Sequence, residues 1–499
     1  MRALHPDHHR VVEALTTPDL ASIVDLVVWV TTDEGGELAA YAANHLGTVR
    51  WGVSGRRELV SGIDPIGSED PLAFLPYAAE LANPSPRVST DNAYPDAAAR
   101  LRSFFGHPDR SPDLAIVHTP RHYFPDEGGH RGEHGSLDVI QSRAPLILSG
   151  RRVRRLGHLD THARLVDVGP TLAHLAGVPA SDLRDRHGEP LDGQVRSDVL
   201  DDGEPGPVVG ILWDGAHCGD LLDLAASGEL PGVARLIETG VAYQGGALAQ
   251  FPSVTLTNHT SILTGVGPGR HGVLGNVYYD RATQERVVPN DESTWHRSGE
   301  WLDPAVRTVF EMVADHLPPG STPRTASVDE AIDRGADYST MQLIRASGST
   351  TGAGGLGDQL PDSHASPFLA DPDHLDDGYF SWGVQVDDLG WQQIRRLWAD
   401  PAHAPRLTWW ANVVTDAGHH AGGPRSEIAR AALRQSDARL CAFLDLLDRA
   451  GATDQVSFLL TADHGFEAAD PPVTGSWGPA LANLGVPYRD EGPGFVYLF

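Results

Sequence analysis

Three short apolar runs, rich in β-branched and aromatic residues, each stop at an aspartate: VVGILWDG at Asp214, LTWWANVVTDAGHH at Asp416 and VSFLLTADHG at Asp463. Runs of this length and composition read as strands buried on both faces, which implies a parallel sheet covered by helices. Ligands of such open sheets bind in the crevice beyond the carboxyl ends of the strands. The expectation is therefore an α/β fold with a mostly parallel central sheet flanked by helices on both faces. It should deliver Asp214, Asp416 and Asp463 to one edge, with His420 and His464 close behind.

The stretch from Ser426 to Ala450 supports that architecture. Ile428, Ala431, Ala432, Leu440, Phe443, Leu444 and Leu447 recur at helical spacing, Ser426 stands where an N-cap belongs, and Gly451 stands where a helix ends. A right-handed crossover through this helix would bring the ends of the Asp416 and Asp463 strands to the same edge. An aspartate after a strand is by itself a common capping or turn residue. Its recurrence beside histidines is what points to a metal centre. Carboxylate with imidazole suits zinc, whereas an all-oxygen set would suit magnesium or calcium. The segment FPSVTLTNHTSILTGVGPGRHGVLGN, Phe251 to Asn276, adds a hydroxyl, Thr255, three residues before an amide, Asn258.

In order and form these segments, together with GVARLIETG and DAGHHAGGP, resemble the nucleotide pyrophosphatase/phosphodiesterase family of the alkaline phosphatase superfamily. The resemblance implies a zinc-dependent hydrolase of phosphate esters, a phosphodiesterase or nucleotide pyrophosphatase acting through a phospho-threonine intermediate. It implies that Thr255 attacks phosphorus, that Asn258 holds a phosphate oxygen, and that two zinc ions are bound per chain. One would lie on Asp214, Asp463, His464 and Thr255, the other on Asp416, His420 and a last histidine. Gly423, Pro424 and Gly465 complete the matching elements. Val254 stands where many members have Lys, and Thr257 replaces the usual Pro, so the resemblance leaves nucleotide specificity open. A phosphonate or phosphomonoester hydrolase of the same superfamily, and a noncatalytic metal-stabilised binding protein, are the competing readings. A sulfatase would need a C-x-P-x-R or S-x-P-x-R nucleophile segment, and neither Cys218 nor Cys441 lies in one.

The family brings its last histidine after the D-H-G element, yet no His follows Gly465 here. The N-terminal third instead carries GEHGSLDVIQSRAPLILSG and ARLVDVGPTLAHLAGVP, which resemble the family's C-terminal end. His134 is the matching ligand, with His130 and His122 as nearby competitors. The expected organisation is one catalytic domain over 1–499 in circularly permuted order. In it, 1–200 corresponds to the family's C-terminal part, 201–209 is a linker, and 210–499 corresponds to its beginning and middle. Residues 280–405 are expected as an inserted cap, containing a Gly-rich loop from Ala346 to Pro367. Tyr278 and Tyr279 are expected to pack, as most aromatic side chains do.

With 38 basic and 67 acidic residues, a net charge of −29 and no lysine, the surface disfavours nucleic-acid polymers, whose binding needs cationic neutralisation of phosphates. Small phosphorylated substrates are compatible with it, because bound zinc would dominate the local field. Two distant cysteines suggest no disulfide framework. No apolar run approaches the ~18 residues a membrane helix needs. The N-terminal residues lack a charged-then-apolar leader, so no membrane partner and a cytoplasmic location are expected. Oligomeric state is not legible.

Overall fold

A computed structural model describes residues 4–499 apart from 33–35, 76–92, 126–127, 319, 321–322, 348–359, 370–371 and 493. Its central sheet has eight strands in the order Tyr338–Ser339, Thr325–Val328, Leu407–Asn412, Val208–Trp213, Ser457–Thr461, Leu146–Gly150, Gly240–Tyr243 and Gly157–Leu159. The first five run parallel to one another, with Val208 level with both Leu407 and Ser457. Leu146–Gly150 runs against both neighbours, and the last two strands resume the common direction. The sheet is thus mixed, and the three aspartate-terminated runs occupy its middle.

Consecutive strand residues face opposite sides of a sheet, and Trp409 and Trp410 show how each side is filled. Trp409 covers Gly210, where a Cβ would collide with it, on the side where Leu172 of helix Val168–Ala176 packs. Trp410 lies against Trp391 of helix Gly378–Leu397 and Phe443 of helix Glu427–Ala450. Helices therefore cover both faces. The crossover helix begins and ends where its sequence indicates: Ser426 Oγ accepts from the Ala429 N–H at 3.2 Å, and Gly451 is left-handed at φ +63°.

Helices Gly378–Leu397 and Glu427–Ala450 are tied by a fully buried ion pair. Arg439 Nη2 donates to Asp388 Oδ1 at 2.6 Å, and Nη1 lies 3.7 Å from Asp387 Oδ2. Burial pushes the Asp387 carboxyl up to about 7, with Arg439 opposing. Replacing Arg439 with Met strands both carboxylates, so stability should fall by about 3–5 kcal/mol in urea unfolding. A loss below about 1 kcal/mol would show that the carboxylates neutralise themselves without the guanidinium.

A second sheet, which the sequence reading did not foresee, has seven antiparallel strands. Their order is Tyr488–Glu491, Phe495–Leu498, Leu114–His118, Val24–Thr32, Leu38–Ala43, Gly47–Trp51 and Arg57–Gly62. It joins segments from opposite ends of the sequence. Its inner residues, among them Leu26, Val28, Val117 and Tyr497, belong to the same continuous core as Leu146, Ile211 and Leu459 of the central sheet. On its other face, Val11, Val12 and Leu15 of helix His8–Leu15 pack over Val24 and Val27.

Within 280–405, Thr325–Val328 is hydrogen-bonded into the central sheet and helix Gly378–Leu397 packs on it, so these parts belong to the core layers. Most of the Gly-rich stretch Ala346–Pro367 falls outside the described residues. Tyr278 and Tyr279 are buried. No helix among the described residues is long and apolar enough to cross a membrane.

Candidate metal centre

The carboxyl ends of the three middle strands open into a cavity of about 770 Å³ lined by Asp214, Thr255, Asp416, His420 and His134, among others. Asp214 ends its strand directly, its N–H donating to the Asn412 carbonyl at 2.9 Å. Asp416 stands on helix Val414–Gly422, and His420 one turn later on the same face. Asp463 and His464 follow Ser457–Thr461 and are fully buried.

Each of the three aspartates has one oxygen engaged and one buried without a hydrogen-bond partner. Asp463 Oδ1 accepts from the Gly215 N–H at 2.9 Å, leaving Oδ2 without a hydrogen bond, 3.2 Å from His464 Nε2. Asp416 Oδ2 accepts from the Tyr379 hydroxyl at 2.8 Å, leaving Oδ1 free. Asp214 has Oδ2 3.7 Å from His259 Nε2, and Oδ1, which has no hydrogen bond, 3.7 Å from His464 Nε2. The histidines repeat the pattern: Nδ1 of His134 donates to the Ser253 carbonyl at 3.0 Å, and Nδ1 of His420 to the Gly132 carbonyl at 3.0 Å. His464 Nδ1 donates to the Gly465 carbonyl at 3.1 Å. Such bonds fix the tautomer and leave Nε2 with its lone pair.

Asp214, Asp463 and His464 form one group whose ligand atoms lie within 4.8 Å of one another. His134, Asp416 and His464 form a second, and His130, Glu133 and His420 a third. The first group joins the residues expected around one ion, and Thr255 Oγ1 lies 3.5 Å from His464 Nε2. The expected Asp416, His420 and His134 set is brought together pairwise, with His420 Nε2 3.5 Å from Asp416 Oδ1 and its ring 5.1 Å from that of His134. His134 stacks on His464 at 3.7 Å. His130 sits 4.1 Å from the His420 ring, whereas His122 is packed against Phe124, away from all three groups.

The donor set fits divalent ions. Burial, with Asp463 and Asp416 close by, raises the Asp214 carboxyl well above the usual range, and burial lifts Asp463 to about 6 despite the opposing pull of His259. Burial holds His420 down at about 4 and, with His464 and His420 adjacent, lowers His134. Neutral imidazoles are the ligating form, and a cation relieves crowded carboxylates.

Asn258 is not turned into this cavity. Its Nδ2 donates to the Pro252 and Val254 carbonyls, both at 3.0 Å, and its Oδ1 accepts from the Gln250 N–H at 2.7 Å. The amide is spent on the loop that presents Thr255. A second amide, Asn276, does line the cavity, its Oδ1 accepting from the Leu256 N–H at 3.1 Å. Sequence reading passed over Asn276, Tyr379, Glu133, Glu330 and His259. The only sequence signal was that Asn276 closes the Phe251–Asn276 segment and His259 follows Asn258.

Residues 208–478 match the model of the type I phosphodiesterase / nucleotide pyrophosphatase family. The chain is 32% identical over 79 residues to ectonucleotide pyrophosphatase/phosphodiesterase 2 of Saccharomyces cerevisiae, 15% of this chain and 16% of that protein. It is 31% identical over 114 residues to alkaline phosphatase PafA of Elizabethkingia meningoseptica, 23% of this chain and 19% of that protein. These matches span less than a fifth of either relative's length. Among solved structures, murine ectonucleotide pyrophosphatase / phosphodiesterase 5 aligns with a TM-score of 0.36 at 15% identity, covering 54% of this chain and 59% of that one. Phosphonoacetate hydrolase from Sinorhizobium meliloti 1021 aligns with a TM-score of 0.31 at 22% identity, covering 52% and 56%.

Proposed function

Because the chain belongs to the type I phosphodiesterase / nucleotide pyrophosphatase family, we propose that it hydrolyses phosphate diesters with Thr255 as nucleophile and two zinc ions at the strand ends. The observation that carries this reading is the clustering of three buried carboxylate oxygens without hydrogen bonds, on Asp214, Asp416 and Asp463, with imidazole nitrogens beside the cavity that holds the Thr255 hydroxyl. Asp214, Asp463 and His464 would hold one ion beside Thr255, and Asp416, His420 and His134 the other. Bound zinc would supply Lewis acidity and positive charge.

Thr255 opens helix Thr255–Thr264, so its hydroxyl stands at the end where backbone N–H groups favour an anionic phosphoryl group. Attack forms the Thr255 Oγ–phosphorus bond as the leaving oxygen departs, and water then cleaves the phospho-threonine ester to regenerate the hydroxyl. Asn276 takes the role first assigned to Asn258: with Oδ1 anchored, its Nδ2 is positioned to donate to a nonbridging oxygen.

The cavity favours a singly charged diester over a doubly charged monoester. Its walls carry Glu133, Asp291 and Glu292, and among the described residues no arginine lines it. A chromogenic diester should therefore turn over faster than the matching monoester, phosphonate or sulfate ester. Faster cleavage of the sulfate or the monoester would reject the diester reading.

We read the order of parts as a circular permutation, with residues 1–200 supplying the family's C-terminal portion. Two observations support it: the imidazole of His134 lies against that of His464, and strand Leu146–Gly150 pairs with Ser457–Thr461. Replacing His134 with Ala should lower zinc content from two ions per chain to one, measured by elemental analysis. Retention of both ions and the full rate would remove His134 from the ligand set and take the permutation's main support with it.

A further inference from the structure

His259 occupies the position one helical turn after Thr255, on the same face of helix Thr255–Thr264, and its ring is buried. Nδ1 donates to Glu330 Oε2 at 2.9 Å. Glu330 is itself fully buried just beyond strand Thr325–Val328. The same Oε2 accepts from Trp409 Nε1 at 2.9 Å, and Oε1 accepts from the Ile332 N–H at 2.9 Å. Three donors from three elements thus fix this carboxylate, and it in turn fixes the imidazole. The far nitrogen, Nε2, makes no hydrogen bond within the protein and points at the metal centre, 3.7 Å from Asp214 Oδ2 and 3.6 Å from Asp463 Oδ2.

We propose that Glu330 and His259 form a rigid arm that aims Asp214, holding Oδ2 toward the ring so that Oδ1 faces the ion. This rests on the reading of Asp214 as a metal ligand. The arm differs from the other two aspartate holders in kind: Asp463 is held by a backbone N–H and Asp416 by a hydroxyl at the cavity wall. Asp214 instead faces a buried ring that is itself anchored by a buried carboxylate, and that ring lies as close to Asp463 Oδ2. Outer partners of this type orient first ligands, and losing one typically weakens metal binding by about 10- to 100-fold. His259 and Glu330 are positioning residues in this scheme: Glu330 acts through His259, and His259, although it lines the cavity, acts through Asp214.

Two substitutions at the same position separate aiming from simple packing. In His259→Asn the amide nitrogen replaces Nδ1, so Glu330 keeps its donor while the reach to Asp214 is lost. In His259→Gln the longer side chain restores a donor near the Nε2 position. Purified protein stripped of metal is titrated with Co(II), following both the binding isotherm and the visible absorption of the bound ion. Wild type should bind two equivalents. His259→Asn should weaken one equivalent by about 10- to 100-fold and shift its absorption, with the other unchanged. His259→Gln should recover most of that affinity. Glu330→Gln, which places an amide nitrogen against a backbone donor, should weaken the same equivalent. The arm is rejected if His259→Asn binds both equivalents as wild type does, or if both weaken together in step with a general loss of thermal stability. A wild-type protein that binds no Co(II) defeats the metal-centre reading itself, a result distinguishable from failure of the arm alone.

Discussion

Thr255→Ala should lower diester turnover by about 10⁴-fold or more while leaving the fold and the metal content in place. Deleting a nucleophile removes the covalent route entirely, and losses of this size or greater follow the removal of catalytic serines elsewhere. The fold should tolerate the change, because Thr255 is half-buried and its hydroxyl makes one long contact, 3.5 Å to His464. Alanine is also the better helix former at a first-turn position. The measurement is a progress curve with a chromogenic diester beside elemental analysis and circular dichroism on the same sample. Trapping by rapid acid quench should give a phosphorylated peptide containing Thr255 from wild type and none from the variant. A variant that keeps the wild-type rate would remove Thr255 from the chemistry.

Stripping the metal should be nearly as severe. Asp214, Asp416, His134 and His420 line one cavity with Asp463 and His464 buried behind them, and without cations the buried acids repel one another. Exhaustive chelation should remove about two zinc ions per chain, the number a two-metal site requires. It should abolish turnover, and it should lower the melting temperature because ligands of the folded state stabilise it by mass action. Zinc should restore both properties, and magnesium should not, since imidazole donors disfavour it. Full activity in metal-free protein would overturn the two-ion reading.

The carboxylates beyond the strand ends were legible because they sit where a pattern ends. A buried strand is a continuous apolar run, so the first carboxylate after it is visible, and Asp214, Asp416 and Asp463 share that form. The crossover helix was legible from its period and from Ser426 and Gly451 at its ends. Orientation was not. Asn258 and Asn276 are the same residue type in one segment, and only the carbonyls of Pro252 and Val254 decide which amide is spent on the backbone. The partners of the site residues were equally hidden: Tyr379 reaches Asp416, and Glu330 reaches His259, only through the packing of separate elements. In the second sheet Leu114–His118 joins Val24–Thr32 to Phe495–Leu498, both far from it in sequence, and alternation within a short run says nothing about such partners.

That sheet bears on how the protein is made. Leu114–His118 pairs with Phe495–Leu498, so the strand cannot gain that neighbour until Phe495–Leu498 has been made. The ring of His118, at the end of the same strand, lies 3.1 Å from the carbonyl of His134. Pairings this distant in sequence form slowly, because loop closure must precede any gain from contact. Before that pairing closes, strands Val208–Trp213 and Leu407–Asn412 can already lie side by side, while Leu114–His118 has only its Val24–Thr32 neighbour. Completion of that sheet therefore waits on its latest strands, although five of its seven strands lie before residue 120.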